Sequence, residues 1–454
     1  MTGCNWRLSQ IASATSGELR GADLVINGVN TDTRKLTKGE FFVALKGPNF
    51  DAHDFVSAAV AAGAVAVMVE HALDNDVPQV VVKDSLKALG ELASAWRQQW
   101  GKSLIAVTGS NGKTTVKEML ASIFSQQGDV LATAGNLNND IGVPLTLLRI
   151  SETDQTAIIE MGANHPNEIA YLTELAKPEV ALITNAAAAH LEGFGSLEGV
   201  AKAKGEIFSG LSSEGYAVIN ADDVYADIWY GLAAEKQKIT FAMDCEADVS
   251  CQIQDAALGN KLDITTPKGT FGFTLKLLGK HNVMNALAAT AAALVAGVSL
   301  QNIGAGLSKM RPVSGRLETK SGVNGSRIID DTYNANPNSL NAAIEVLMQN
   351  DGKTYLALGD MGELGDDTQA MHDQAGEQAK SKGVDKLYAF GLYSLGTVKA
   401  FGKNASHFDS QAAMIKQLEQ DLTSTVTLLV KGSRAMQMDK VVDALQLKTS
   451  QSGG

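Results

Sequence analysis

The sequence predicts an α/β protein in three domains. A central, mainly parallel sheet of the phosphate-loop type carries flanking helices, with a smaller α/β domain before it and a Rossmann-like domain after it. Three observations predict this. The chain has 454 residues, too many for one compact core. Short apolar runs of strand length alternate with longer amphipathic stretches, the pattern of strand–helix–strand units with parallel strands. One such unit carries a glycine-rich turn followed by Lys-Thr, between Thr108 and Thr115.

The elements follow in order. EFFVAL (Glu40–Leu45) reads as a buried strand, KGPNFDAH as a loop, DFVSAAVAAGA as a helix and VAVMVE as a second strand. The helical stretch SLKALGELASAWRQQW, closed by Gly101, ends a first domain at residues 1–101. The second domain, 102–311, opens with SLIAVTG. Leu104–Val107 is a strand, Gly109–Gly112 a loop, and a helix starts near Thr114. Val116, Met119, Leu120, Ile123 and Phe124 form one apolar stripe on that helix. TAIIEMG, VALITNA and YAVIN are further strands. Short β-like pieces dominate from Ile239 to Leu278, and an Ala-rich helix runs from about Val283 to Ala296. A boundary falls near MRPVSGR (Met310–Arg316), and the third domain, 312–454, alternates again. Its pieces are RIIDDTYN, a helix at SLNAAIEVLMQ, then YLALGD, KLYAFG and TVTLLVKGS. The tail TSQSGG is expected to be disordered.

Composition narrows the function. The residues are 45% hydrophobic and 19% charged, with 44 glycines and 8 prolines, as in a soluble α/β protein with many tight turns. A net charge of −12 argues against a nucleic-acid partner, though not against a basic pocket for a small anion. Cys4, Cys245 and Cys251 lack zinc-ligand spacing and read as free thiols in a reducing compartment. MTGCNWRLSQ has no signal-peptide core, and the apolar run Ala58–Val69 is too short to span a bilayer. The expectation is a cytoplasmic protein without membrane insertion.

The chemistry starts at TGSNGKTTVKEML (Thr108–Leu120). The common pattern G-x-x-x-x-G-K-[ST] wants a glycine where Val107 stands. A shorter variant answers this, with Gly109 and Gly112 making the turns. Backbone N–H groups of the loop and the helix start would cradle an anion. Lys113 would reach the terminal phosphates and the Thr114 hydroxyl would sit on Mg²⁺. Gly109, Ser110, Asn111, Gly112, Lys113, Thr114 and Thr115 thus form the candidate nucleotide loop.

This loop resembles that of the Mur ligase superfamily, and further wordings recur in the family's order. They are GNLNNDIGVP (Gly135–Pro144), EMGANHPNEI (Glu160–Ile169), NAAAAHLEGFGS (Asn185–Ser196) and AKAKGEIF (Ala201–Phe208). LGKHNVMNALAA (Leu278–Ala289), SGRLE (Ser314–Glu318) and IDDTYNANPNS (Ile329–Ser339) complete the set. Together they cover the chain from about residue 30 to 435. EMGAN, HLEGFGS and DDTYNANP resemble the member that joins D-alanyl-D-alanine to UDP-N-acetylmuramoyl-tripeptide.

The resemblance implies an ATP-dependent ligase, expected to be a monomer. A carboxylate is first phosphorylated, and an amine then displaces phosphate from the acyl phosphate. By resemblance, Lys113, Glu160, His190 and Lys204 are catalytic. Thr114, Glu160, His190 and Lys204 would hold two Mg²⁺ ions, Lys204 as a carbamate. Lys202, in the same AKAK run, is the alternative lysine. Asn282 and Asn285 would contact the nucleotide, although Asn282 also reads as a helix N-cap. Arg316 would reach the ATP phosphates, Asp331 the ribose, and Tyr333, Asn334 and Asn336 the nucleotide and amine sites. Thr33, Arg34, Lys46, Asp51 and His53 would form the uridine-diphosphate pocket, and Asn138 and Asn139 would touch the sugar-peptide. Two other readings stand beside this one: another enzyme of the superfamily, either folylpolyglutamate synthase, which lacks the first domain, or another amino-acid-adding Mur ligase; and a nucleotide switch, which needs no second metal.

Overall fold

A computed structural model describes residues 3–188, 191–255 and 260–447. The TSQSGG tail and His190 lie outside the described residues. In the first part of the chain, β1 (Glu18–Arg20), β2 (Val29–Asn30), β3 (Phe41–Val43), β4 (Ala66–Val69) and β5 (Gln79–Val81) form a sheet in the order β1-β5-β4-β3-β2. Only β1 runs antiparallel to its neighbour. The helix Ser85–Trp100 follows. Asp84 accepts from the Lys87 N–H at its start, and Gly101, at φ 65°, closes it in the left-handed region.

The central sheet is wholly parallel. Its strands are β6 (Ser103–Thr108), β7 (Asp129–Ala132), β8 (Asp154–Glu160), β9 (Val180–Ile183), β10 (Tyr216–Asn220) and β11 (Gln237–Phe241), in the order β11-β10-β9-β6-β8-β7. An antiparallel appendage, β12 (Ser250–Asp255), β13 (Asn260–Thr266) and β14 (Gly269–Leu275), follows it. The last sheet has β15 (Glu318–Ser321), β16 (Arg327–Asp331), β17 (Lys353–Gly359), β18 (Lys386–Phe390), β19 (Ala405–Phe408) and β20 (Val426–Lys431), ordered β15-β16-β20-β17-β18-β19. Only β15 is antiparallel there.

Period-two burial separates the cores. In β6, Leu104 and Ala106 join a cluster that runs on through Trp96 and Leu92 to Phe41 and Met68 of the first sheet. Ile105 and Val107 point the other way, into a core with Val116, Leu120 and the Ala-rich helix Lys280–Val295. The last sheet has its own two cores, one on each face.

The structure redraws three elements that the sequence reading names. The Ala-rich helix begins at Lys280, not near Val283, so His281–Asn285 lie within it. β11 completes the central sheet, so only β12–β14 form the separate short-strand group. EFFVAL contracts to a strand of three residues, Phe41–Val43.

Candidate active site

Val107 is a fully buried strand residue, and the loop begins after it. Gly109 has φ 145° and Gly112 φ 82°. A Cβ on Gly109 would stand 1.9 Å from Thr184 Oγ1, and one on Gly112 2.4 Å from Asn285 Oδ1. Glycine is therefore required at both turns by close approach as well as by dihedral. The loop is tied to the end of β9. Ser110 Oγ donates to Ala187 O at 3.1 Å, the Asn111 N–H donates to Asn185 Oδ1 at 3.0 Å, and Thr184 Oγ1 donates to Asn111 O at 2.6 Å. The helix Lys113–Phe124 starts directly from Gly112 with no side-chain cap. Its first N–H groups stay available to an anion.

Thr114 is the meeting point of the site. Its Oγ1 donates to Glu160 Oε2 at 2.9 Å and accepts from Arg316 Nη2 at 2.9 Å. Glu160, the last residue of β8, is 2% exposed, and its Oε1 accepts from Asn138 Nδ2 at 2.9 Å. Lys113 Nζ folds back onto Gly109 O at 2.7 Å. Burial lowers the Lys113 pKa, as does the Arg316 charge, while Glu160 opposes both. Arg316 lies 4.1 Å from the centre of the Tyr333 ring. Its buried Nε has no hydrogen-bond partner among the described residues, an orphan donor of the kind a ligand satisfies.

The last sheet supplies the facing wall. Asp331 ends β16, and its Oδ1 accepts from the Leu317 N–H at 3.2 Å. Asn336 caps the helix Pro337–Leu347, and its Nδ2 donates to Asn111 Oδ1 at 2.8 Å across the two sheets. Asn282 Nδ2 donates to Leu278 O at 2.8 Å and its Oδ1 accepts from Asn285 Nδ2 at 3.2 Å. Gly279 is the N-cap there, so the capping reading of Asn282 fails: the residue lies inside the first turn. Asn139 Oδ1 accepts from the Gly142 N–H at 2.9 Å, which commits that oxygen to the local turn.

These side chains enclose one cavity of about 1030 Å³, lined by residues 110–115, Asn138, Asn139, Glu160, Asn282, Asn285, Arg316, Asp331, Tyr333, Asn334 and Asn336. Lys204 lies outside its lining: it is 1% exposed, with Nζ 5.3 Å from the centre of the Phe194 ring. Burial first, and the Lys113 charge second, push its amine down to about 7. Lys202 faces solvent and pairs with Glu198 at 2.6 Å. The first-sheet candidates also stand apart from the cavity. Arg34 is exposed and its Nε lies 2.8 Å from Asp32 Oδ1, with Thr33 beside it in the turn. Lys46 and Asp51 are backbone bridge partners. His53 Nδ1 donates to Asp51 Oδ1 at 2.5 Å while its Nε2 accepts from the Glu70 N–H at 2.9 Å, which fixes the tautomer.

Thr114 and Glu160 present two adjacent oxygen donors, the ligand chemistry Mg²⁺ prefers. Among the described residues no three His, Cys, Asp or Glu side chains form a metal-binding group. A cation here would draw its remaining oxygens from phosphate, from water or from a modified lysine.

Among the wall residues that sequence reasoning missed, three bear on the chemistry. Asn185 anchors the loop through Asn111. His281 lines the cavity, and burial holds its imidazole below its ordinary value. Lys431 is 2% exposed and donates to Asp331 Oδ2 and, at 2.9 Å, to Asn334 O. Its signal was a lysine ending the buried strand TVTLLVK.

Known proteins resemble this chain in sequence and fold. The family description "Mur ligase middle domain" matches residues 107–293, "Mur ligase, glutamate ligase domain" residues 315–434, and "Mur ligase family, catalytic domain" residues 25–97. The UDP-N-acetylmuramoyl-tripeptide–D-alanyl-D-alanine ligase of Escherichia coli is 47% identical, over 97% of this chain and 98% of the relative. A crystal structure of MurF from Acinetobacter baumannii superposes with a TM-score of 0.93 at 36% identity, covering 98% of this chain and 99% of that one. A MurF ligase from Thermotoga maritima in complex with ADP superposes at 0.80 with 26% identity, covering 92% and 96%.

Proposed function

We propose, since the chain belongs to the Mur ligase family, that it is the ATP-dependent ligase joining D-alanyl-D-alanine to UDP-N-acetylmuramoyl-tripeptide. The product is the UDP-N-acetylmuramoyl-pentapeptide precursor of peptidoglycan, so the enzyme serves cell-wall synthesis and, through it, cell shape and division. It works in the cytoplasm as a monomer, in three units at 1–101, 102–311 and 312–454. The observation that carries the reading is the Thr114 junction, where a phosphate-loop hydroxyl, a buried carboxylate and an arginine from the facing sheet meet within 2.9 Å contacts.

In this reading ATP lies between the loop and the last sheet. The loop N–H groups and Lys113 hold its phosphates, with the Lys113 amine leaving Gly109 O to do so. Arg316 donates its orphan Nε to a phosphate oxygen, and Asp331 takes the ribose hydroxyls. Asn282, Asn285, Tyr333, Asn334 and Asn336 shape the nucleotide and amine sites. Thr33, Arg34, Lys46, Asp51 and His53 bind the uridine diphosphate, and Asn138 and Asn139 the sugar-peptide. The terminal carboxylate of the tripeptide attacks the γ-phosphorus and ADP leaves. The neutral amine of D-alanyl-D-alanine attacks the acyl carbon, and phosphate leaves with one former carboxylate oxygen and the proton that the nitrogen gives up. Fixed cations stabilise the charge carried through both steps. Two Mg²⁺ ions, held by Thr114, Glu160, His190 and Lys204, would supply further charge neutralisation. Lys204 would serve as a carbamate: its neutral amine adds carbon dioxide and releases a proton, leaving an anionic oxygen ligand.

The test is ADP release with each substrate omitted in turn, using tripeptides ending in meso-diaminopimelate and in lysine. Turnover should require both the UDP-tripeptide and D-alanyl-D-alanine. Lys113→Ala should lower kcat/KM by roughly 10²–10³-fold while leaving UDP-tripeptide affinity unchanged. ATP hydrolysis that is indifferent to the dipeptide would favour a nucleotide switch instead.

A further inference from the structure

We infer that Lys431 is a positioning residue for the nucleotide: it holds Asp331, and through Asp331 the Arg316–Leu317 turn, in the geometry that faces the phosphate loop. The inference rests on the nucleotide reading of the large cavity. Lys431 ends β20 and lies in register with Asp331 at the end of the parallel neighbour β16. A lysine that is 2% exposed must find partners for its ammonium inside the protein. Its partners are Asp331 Oδ2 and Asn334 O, the two ends of the Asp331–Asn334 turn. The carboxylate of Asp331 is therefore divided between two tasks. Oδ2 is held by Lys431, and Oδ1 accepts the Leu317 N–H at 3.2 Å.

Leu317 explains why that second bond matters. Its φ is 53°, the left-handed region, which a branched side chain seldom adopts. Such a conformation persists only where surrounding contacts over-determine it. The Asp331 bond is one such contact, and the backbone bond from the Tyr333 N–H to Gly315 O at 3.1 Å is another. Both come from the segment that Lys431 pins. The residue so aimed is Arg316, with Nη2 2.9 Å from Thr114 Oγ1 and its guanidinium 4.1 Å from the centre of the Tyr333 ring. Removing the ammonium frees Oδ2 to turn toward other donors and loosens the 331–334 turn. The Leu317 bond and the aim of Arg316 then go together.

The experiment compares Lys431→Met, Lys431→Arg and wild type by steady-state kinetics and by calorimetric binding of a nonhydrolysable ATP analogue. Lys431→Met should raise KM for ATP and the analogue Kd at least tenfold, leave KM for the UDP-tripeptide within twofold, and be partly rescued in Lys431→Arg. Arg316→Ala should cost clearly less in the Lys431→Met background than in wild type, because the guanidinium is already misaimed. A merely structural role would lower kcat through loss of folded enzyme while leaving KM for ATP unchanged, and that result overturns the proposal. So does additivity of the two substitutions. If Lys431→Met does not fold, Lys431→Gln takes its place in the binding measurement: a Kd raised at least tenfold supports the role, and an unchanged Kd overturns it. Wild-type enzyme that fails to bind the analogue would overturn the nucleotide reading itself; binding by wild type with equal binding by the variant overturns only the role of Lys431.

Discussion

Lys202 and Lys204 stand two positions apart in one run, and nothing in their own chemistry separates them. The helix Leu197–Gly205 does: Lys202 pairs with Glu198 at the surface, while Lys204 is buried against Phe194. Burial favours the neutral amine, so the group is protonated below about pH 7 and free to add carbon dioxide above it. Lys204→Ala should therefore lose most ligation and regain part of it with acetate or formate, whereas Lys202→Ala stays within about 0.5 kcal/mol of wild-type stability and keeps its activity. Full activity in unsupplemented Lys204→Ala would remove the carbamate from the mechanism. The family wording alone made Lys204 legible in the sequence. For Lys431 the sequence shows only a lysine ending a buried strand, because its importance comes from a register partner 100 residues away.

At the scale of elements, the chemistry sits where parallel strands end: Thr108, Glu160, Asp331 and Lys431 are each the last residue of a strand. The loop between β6 and the helix Lys113–Phe124 was readable because an apolar run, two glycines and an amphipathic stripe all agree. The helix bearing Asn282 and Asn285 begins earlier than the apolar pattern predicts for a physical reason: it starts from Gly279 at φ 88° with no side-chain cap, so the usual start signal is missing. β1, β2 and β5 are not legible in the sequence because runs of two or three residues carry no measurable period. Gly112→Ala tests the loop as an element. The new Cβ meets Asn285 Oδ1 at 2.4 Å in a left-handed backbone, so the loop must shift. The expected cost is about 1–3 kcal/mol of stability, with a larger loss in ATP affinity than in UDP-tripeptide affinity. A thermal melt and two titrations decide it; unchanged ATP affinity would mean the loop does not hold the nucleotide.

Across the whole molecule, the cores predict which parts move together. The first and central sheets share one continuous cluster, whereas the last sheet has its own. Among the contacts between the last sheet and the phosphate loop are the hydrogen bonds Arg316–Thr114 and Asn336–Asn111. Closure of the last unit onto the other two, moving as one body, is therefore expected on ligand binding. Single-molecule energy transfer should report a shortened central-to-last distance with UDP-tripeptide and an ATP analogue, and an unchanged first-to-central distance. The reverse pattern would contradict the division of cores. In the proposed reaction the cavity makes an acyl phosphate from a carboxylate and ATP. The most direct measurement uses UDP-tripeptide with ¹⁸O in its terminal carboxylate, incubated with ATP and D-alanyl-D-alanine, followed by mass spectrometry of the phosphate released. The prediction is one ¹⁸O transferred into phosphate for each labelled oxygen lost in making the amide; unlabelled phosphate accompanying full pentapeptide formation would contradict it.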